Sequence, residues 1–178
     1  LEGITNMSTS LSDVADVIRS DRIMSGANLV GKSVFGQTGR ISTDGQSVSQ
    51  IEVYLPYGAE QVDLGIYDMN SGALIRSIVS GPQGSGTASF GWDGRMADGT
   101  AAPAGDYVIR GTANIDGAAT DIYPSTFAKV NTVSWDAQSA NLNLNLAGGV
   151  TLPISEVSRI GETPKPSSLT NQTDQAGE

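Results

Sequence analysis

The chain of 178 residues has no cysteine and no histidine. Their absence excludes disulfide bonds, thiolate nucleophiles, cysteine-type zinc sites, Ser-His-Asp triads and imidazole acid–base chemistry. The chain has ten basic and nineteen acidic residues, which gives a net charge of −9. Nucleic acid is therefore a disfavoured partner. No apolar run is long enough to cross a bilayer. We therefore expect a non-enzymatic protein without membrane insertion, cofactor or metal.

Glycine, in contrast, is plentiful, with 22 residues in a chain of only 38% hydrophobic content. This composition favours turn-rich β structure over a helical bundle. Short runs in which apolar and polar residues alternate predict a small antiparallel sandwich; they cover residues 48–55, 61–67, 74–79, 87–92 and 107–115. Asn70-Ser71-Gly72 predicts a tight hairpin between the second and third of these strands.

A second group of short runs follows Asp116-Gly117 and covers residues 121–123, 128–136, 140–146 and 150–154. Together with 29–35 and 40–42 they predict a small Tudor-like or SH3-like barrel, which would leave no open sheet edge. The immunoglobulin-like or fibronectin III-like sandwich would then be inserted in the barrel. We expect a helical segment at 1–26, the barrel at 27–45 plus 116–160, the sandwich at 46–115, and a flexible tail at 161–178, which has almost nothing apolar.

Residues 4–24 carry the one convincing helical pattern. Apolar residues recur there at alternating spacings of three and four, which places Ile4, Met7, Leu11, Val14 and Ile18 on one face. This stripe could pack on its own domain or against another subunit. Because the sequence shows no second apolar helix to cover it, we expect these five residues to bind a partner.

The segment 86–111 combines a strand end, two Asp-Gly turns and a Gly-x-Tyr sequence; its motif residues are Trp92, Asp93, Gly94, Asp98, Gly99, Gly105 and Tyr107. Gly105 two residues before Tyr107 is typical of the tyrosine corner of sandwich domains, whose phenol bonds to upstream backbone. The two aspartates could form a catalytic pair or a calcium loop. A turn is favoured, because each precedes a glycine that allows positive φ.

Two further patterns have alternative interpretations. Residues 33–39 superficially resemble a phosphate-binding loop, but they lack the GK[ST] order and a following helix, so we predict a hairpin. Tyr54, Tyr57 and Tyr123 lie near predicted turns and could be surface contacts. We favour the ordinary role of strand and turn tyrosines in a sandwich.

The order and spacing of 67–76, 90–94, 98–99 and 103–107 resemble the immunoglobulin-like domain of the flagellar hook assembly protein (hook cap) family. Residues 1–11 and 29–34 resemble the segment that joins this family's N-terminal region to its globular part. The resemblance covers about residues 1–160. It implies the same nested arrangement, with an immunoglobulin-like domain inside a Tudor-like one.

The resemblance also implies a function: a hook capping and scaffolding protein that promotes polymerisation of hook subunits at the distal end of the growing hook. Its expected partners are hook protein subunits and further copies of itself in an oligomeric cap. It would be cytoplasmic only transiently, before export through the flagellar channel. Because the chain begins at Leu1 and does not show the family's export signal, we expect a fragment. The alternative is a secreted immunoglobulin-like module that binds carbohydrate or a cell surface, with a ligand-dependent rise in melting temperature.

Overall fold

The computed structural model describes residues 2–161, and there the fold is mainly β, as the sequence predicts. One long helix, α1 (Glu2–Ala27), comes first. The strands are β1 (Ser33–Gly36), β2 (Arg40–Thr43), β3 (Ser49–Leu55), β4 (Gln61–Asp68), β5 (Leu74–Ser80), β6 (Gly86–Trp92), β7 (Gly105–Ile115), β8 (Ala118–Ile122), β9 (Ser125–Asp136), β10 (Asn141–Leu146), β11 (Thr151–Pro153) and β12 (Arg159–Gly161). A 3₁₀ turn, Ile154–Glu156, precedes β12. The predicted tail lies, apart from its first residue, outside the described residues.

The middle of the chain forms a sandwich around one core. The β3–β6 pair covers one side, and the sheet built from β4, β5 and β7 covers the other. Every second residue of β3 and β4 is buried between them, as the two-residue period of a strand requires: Ile51, Val53, Leu55, Val62, Leu64 and Ile66. The predicted hairpin between β4 and β5 is confirmed, with Gly72 at a φ of +71°.

The β3–β6 pair also belongs to a seven-stranded sheet, which it joins through β9. The other strands of that sheet run in the order β11-β10-β9-β1-β12 around a separate core. The buried residues of that core are Val34, Ala128, Val130, Leu142, Leu144, Leu146 and Leu152. In β10 the three leucines alternate with half-buried asparagines, so that one face of the strand is apolar and the other polar. Among the described strands no ladder joins β11 to β12, and the sheet is open between them.

Two predicted strands form but do not belong to the barrel to which the sequence assigns them. Residues 40–42 lie in β2, which pairs with β7 and places Ile41 in the sandwich core. Residues 121–122 belong to β8, which also pairs with β7 and buries Ile122 in the same core. In each strand the buried isoleucine packs on the sandwich, which explains the pairing. The division of the chain into an inserted sandwich and a barrel remains a prediction.

The hairpin predicted at 33–39 is also wrong. β1 pairs with β9 and β12, whereas β2 pairs with β7, so the connection between β1 and β2 passes from one sheet to the other. Gly39, at a φ of +55°, makes the crossing. Its N–H donates to the Pro124 carbonyl, and its own carbonyl accepts from the Ile109 N–H. We refer to the sandwich and to the group of strands around the second core as the two β units. The backbone at Gly39 is hydrogen-bonded where these two β units meet.

Candidate partner-binding surface

The apolar stripe predicted on α1 is exposed to solvent along its whole length. The exposed fractions are 73% for Ile4, 67% for Met7, 66% for Leu11, 55% for Val14 and 48% for Ile18. Soluble proteins rarely leave a row of large apolar side chains uncovered unless another molecule meets it. Of the two interpretations of the stripe, packing on its own domain does not occur, and partner binding stays a prediction.

The helix is attached to the rest of the chain only near its C-terminal end. Ile23 and Leu29 pack against the second core, and Gly26 is buried. A Cβ atom at position 26 would overlap the side chain of Leu142, so glycine is what permits this close approach. Ile23 follows Ile18 by five residues, which on a helix of 3.6 residues per turn takes it off the stripe. The stripe therefore does not face the core that anchors the helix.

Two exposed apolar residues on α1 were missed by the sequence reasoning. Val17 and Met24 are both exposed, and they line a shallow groove with Asp16, Ser20 and Asp21. Val17 follows Val14 by three residues and Met24 follows Val17 by seven, which is a helical spacing. That spacing could have been recognised in the sequence. These residues widen the apolar surface that α1 presents.

The aromatic residues of the 86–111 motif build the end of the sandwich core. Trp92 and Tyr107 meet edge to face with ring centroids 5.0 Å apart, and both are almost fully buried. The Trp92 indole N–H donates to the Arg95 carbonyl at 2.9 Å. The Tyr107 hydroxyl donates to the Pro103 carbonyl at 2.6 Å, four residues upstream, as in the predicted tyrosine corner. Burial raises the pKa of Tyr107, and the nearby charge of Asp68 raises it further.

The aspartates of the motif form turns. The Asp93 carboxylate accepts from the Arg95 N–H at 3.1 Å. The Asp98 carboxylate accepts from the Thr100 hydroxyl at 2.6 Å and the Thr100 N–H at 2.9 Å; these bonds, the hydroxyl's first, hold the pKa of Asp98 below its ordinary value. The glycines that follow have φ values of +71° and +84°. Each carboxylate thus stabilises its own turn, as the favoured interpretation expects.

Three tyrosines of the β body are exposed at the surface. Tyr54 lies on the outer face of β3, and Tyr57 and Tyr123 lie in connections between strands; all three are exposed. Both interpretations of these tyrosines, an ordinary place in the sandwich and a surface contact, remain predictions. In residues 2–161 no cluster of three or more carboxylates is placed to hold a metal ion. Over the same range no helix combines the length and the apolarity needed to cross a membrane.

These features define a class: an immunoglobulin-like β protein with two cores and a projecting apolar helix. The family model named FlgD Ig-like domain matches residues 38–117, a range that includes β2. A curated relative, the basal-body rod modification protein FlgD of Escherichia coli (strain K12), is 31% identical over 160 residues, which cover 85% of this chain and 68% of that protein. The chain belongs to the FlgD family.

Solved structures agree with this assignment. FlgD from Pseudomonas aeruginosa superposes with a TM-score of 0.66 at 31% identity, covering 75% of this chain and 98% of that one. FlgD from Xanthomonas campestris superposes with a TM-score of 0.59 at 28% identity, covering 79% of this chain and 99% of that one. The Xanthomonas structure is described in terms of hook capping, which is essential for flagellar assembly.

Proposed function

We propose that this chain is a hook-capping scaffold, which promotes polymerisation of hook subunits at the distal end of the growing hook. The observation that carries the proposal is the similarity to FlgD of Escherichia coli, which spans 85% of the chain. Hook capping is the role attributed to the Xanthomonas relative, and it is the role that we infer for this chain. In this role the protein works outside the cell, makes and breaks no covalent bond, and acts through contacts with other protein chains.

The exposed stripe on α1 supplies the contact that a cap requires. A helix of 26 residues is about 39 Å long, and this one is anchored only near its last turns. Its free part can therefore lie against a neighbouring molecule while the β units stay clear. We propose that Ile4, Met7, Leu11, Val14 and Ile18 bind other copies of this chain in an oligomeric cap. The two β units form the body of each subunit, whose surface meets hook protein.

A double substitution on the stripe tests this proposal. Leu11→Asp with Val14→Asp places two charges in the middle of the apolar row, where a protein contact would have to desolvate them. We expect the variant to lose self-association and to fail to restore hooks and motility in cells that lack the native protein. Its melting temperature in dilute solution should equal that of the parent, because both positions are exposed.

The matched control adds the same two charges on another face of the helix. Thr9→Asp with Ser12→Asp changes exposed polar positions outside the stripe, and it should assemble and restore hooks. If the stripe variant assembles and restores hooks as well as this control does, the stripe is not the contact. If the intact full-length protein fails to restore hooks in cells that lack their own copy, the proposed function itself is wrong.

A further inference from the structure

The longest strand, β9, is shared by the two β units. Its first residues pair with β3 of the sandwich, through Thr126 opposite Ile51 and Ser125 opposite Glu52. Thr126 and the three residues that follow it pair with β1, and the later part of β9 pairs with β10. We propose that the sandwich and the second β unit move as one rigid body, locked by a clasp of side chains around the start of β9. The short connections between the units would otherwise allow a hinge.

The inner part of the clasp is a pair of buried threonine hydroxyls. Thr126 is fully buried and Thr38 almost so. The Thr126 hydroxyl donates to the Arg40 carbonyl at 2.6 Å and is hydrogen-bonded to the Thr38 hydroxyl, which also accepts from the Arg40 N–H. Buried polar groups are costly when they lose their partners. A rotation of β2 relative to β9 would separate these groups with no water to replace them.

The outer part of the clasp is Arg159 on β12. Its guanidinium bonds to the Glu52 carboxylate on β3 at 2.7 Å and lies 3.9 Å from the centre of the Phe35 ring. Phe35 in turn meets Phe127 of β9 edge to face, with centroids 4.9 Å apart. A partly exposed ion pair contributes little by itself. Stacking on an aromatic ring fixes the planar guanidinium in place, so this pair resists displacement better than an isolated one.

A contact farther along the junction restrains the same motion. The Arg40 Nε–H donates at 3.2 Å to the carbonyl of Gly148, which lies in the turn between β10 and β11. The side chain of a sandwich strand thus bonds to backbone of the second unit. With β9 at the centre, Arg159 and Arg40 hold the units together at separate points. A hinge movement would have to break both contacts.

The proposal is tested by measuring a distance between the units in solution. The chain has no native cysteine, so Tyr57→Cys in the sandwich and Gln138→Cys in the β9–β10 turn, both exposed, can be spin-labelled selectively. Pulsed electron resonance on the full chain should give one narrow distance distribution, no wider than the labels themselves produce. A broad or two-peaked distribution would overturn the rigid-body proposal.

Variants then test the clasp residues. Arg159→Gln should broaden the distribution measurably, and Arg159→Gln combined with Thr126→Val should broaden it further. The matched control is Arg76→Gln, since Arg76 bonds to the Met96 carbonyl within the sandwich and should leave the width unchanged. Arg159 is partly exposed, so the single variant is informative even if the double variant folds poorly. A single-variant width equal to that of the control would show that Arg159 does not act as a clasp.

Discussion

Strand β4 and helix α1 both carry regularly spaced apolar residues, but their side chains end in opposite environments. In β4, Val62, Leu64 and Ile66 are fully buried in the sandwich core. On α1 the stripe residues are about half exposed or more, although their spacing is just as regular. A periodic pattern predicts the face that will be covered, but it does not say whether the cover comes from the same chain. The apolar face of β4 is covered by the same chain, and we infer that the apolar stripe of α1 is covered by another molecule.

The largest difference is expected between two leucine-to-alanine substitutions, one in β4 and one on α1. Leu64→Ala removes a fully buried side chain and should lower the free energy of unfolding by about 2–5 kcal/mol. Leu11→Ala makes the same change at an exposed position and should alter it by less than about 0.5 kcal/mol. Urea unfolding at low protein concentration measures both. Similar losses at the two sites would mean that α1 folds back onto the β body in solution.

Two glycine-to-alanine substitutions compare the anchored end of α1 with its free end. Gly26→Ala should lower the free energy of unfolding by about 1–2 kcal/mol, because the new methyl group must displace the buried Leu142. Gly3→Ala meets nothing within 4 Å and should instead raise the helix content, since alanine is the better helix former. Circular dichroism with thermal melting measures both. A neutral Gly26→Ala would indicate that the anchor is loose.

Within the sandwich, the tyrosine corner can be tested by removing one oxygen. Tyr107→Phe deletes the hydroxyl that donates to the Pro103 carbonyl and should cost about 1 kcal/mol at neutral pH. Because folding raises the pKa of Tyr107, its contribution is complete below its ordinary value of 10.0 and is lost as the pH rises through the folded-state pKa. The difference in free energy of unfolding between the parent and Tyr107→Phe should therefore become smaller in alkaline solution. An unchanged difference would contradict this assignment.

The smallest effect is expected at the exposed turn formed by Asp98 and Gly99. Folding lowers the pKa of Asp98 below 3.8, so its carboxylate stabilises the fold above that pH and ceases to do so as the pH falls through the folded-state pKa. Asp98→Asn should lower the melting temperature slightly near pH 7 and have no such effect in strong acid. Thr100→Val removes one donor and should show part of the same trend. A difference in melting temperature between the parent and Asp98→Asn that does not depend on pH would show that the charge of Asp98 does not stabilise the fold.

Much of this architecture could be predicted from local patterns. Alternation located β3 and β4, Asn70-Ser71-Gly72 located a hairpin, and Gly105 before Tyr107 indicated the tyrosine corner. Each of these features depends on neighbours in the sequence and on physical rules of short range. For that reason they could be recognised without knowledge of the rest of the fold.

The two errors differ in range. β8 follows β7 across the two-residue turn Asp116-Gly117, a local hairpin signal that could have been recognised in the sequence. β2 is short, and nothing in its own residues says that it will pair with β7, more than sixty positions away. The burial of Ile41 decides that pairing only once the sandwich core exists. The same limit applies to the candidate surface. The spacing on α1 predicted an apolar face, but its exposure depends on where Gly26 and Leu142 anchor the helix.

The central claim is that α1 exposes its apolar stripe in order to meet other copies of this chain. Sedimentation velocity over a hundredfold dilution series tests it most directly, with the Leu11→Asp, Val14→Asp variant run beside the parent. We expect the parent to form oligomers that dissociate on dilution, and the variant to remain monomeric at every concentration. A parent that stays monomeric throughout, or a variant that associates equally well, would contradict it.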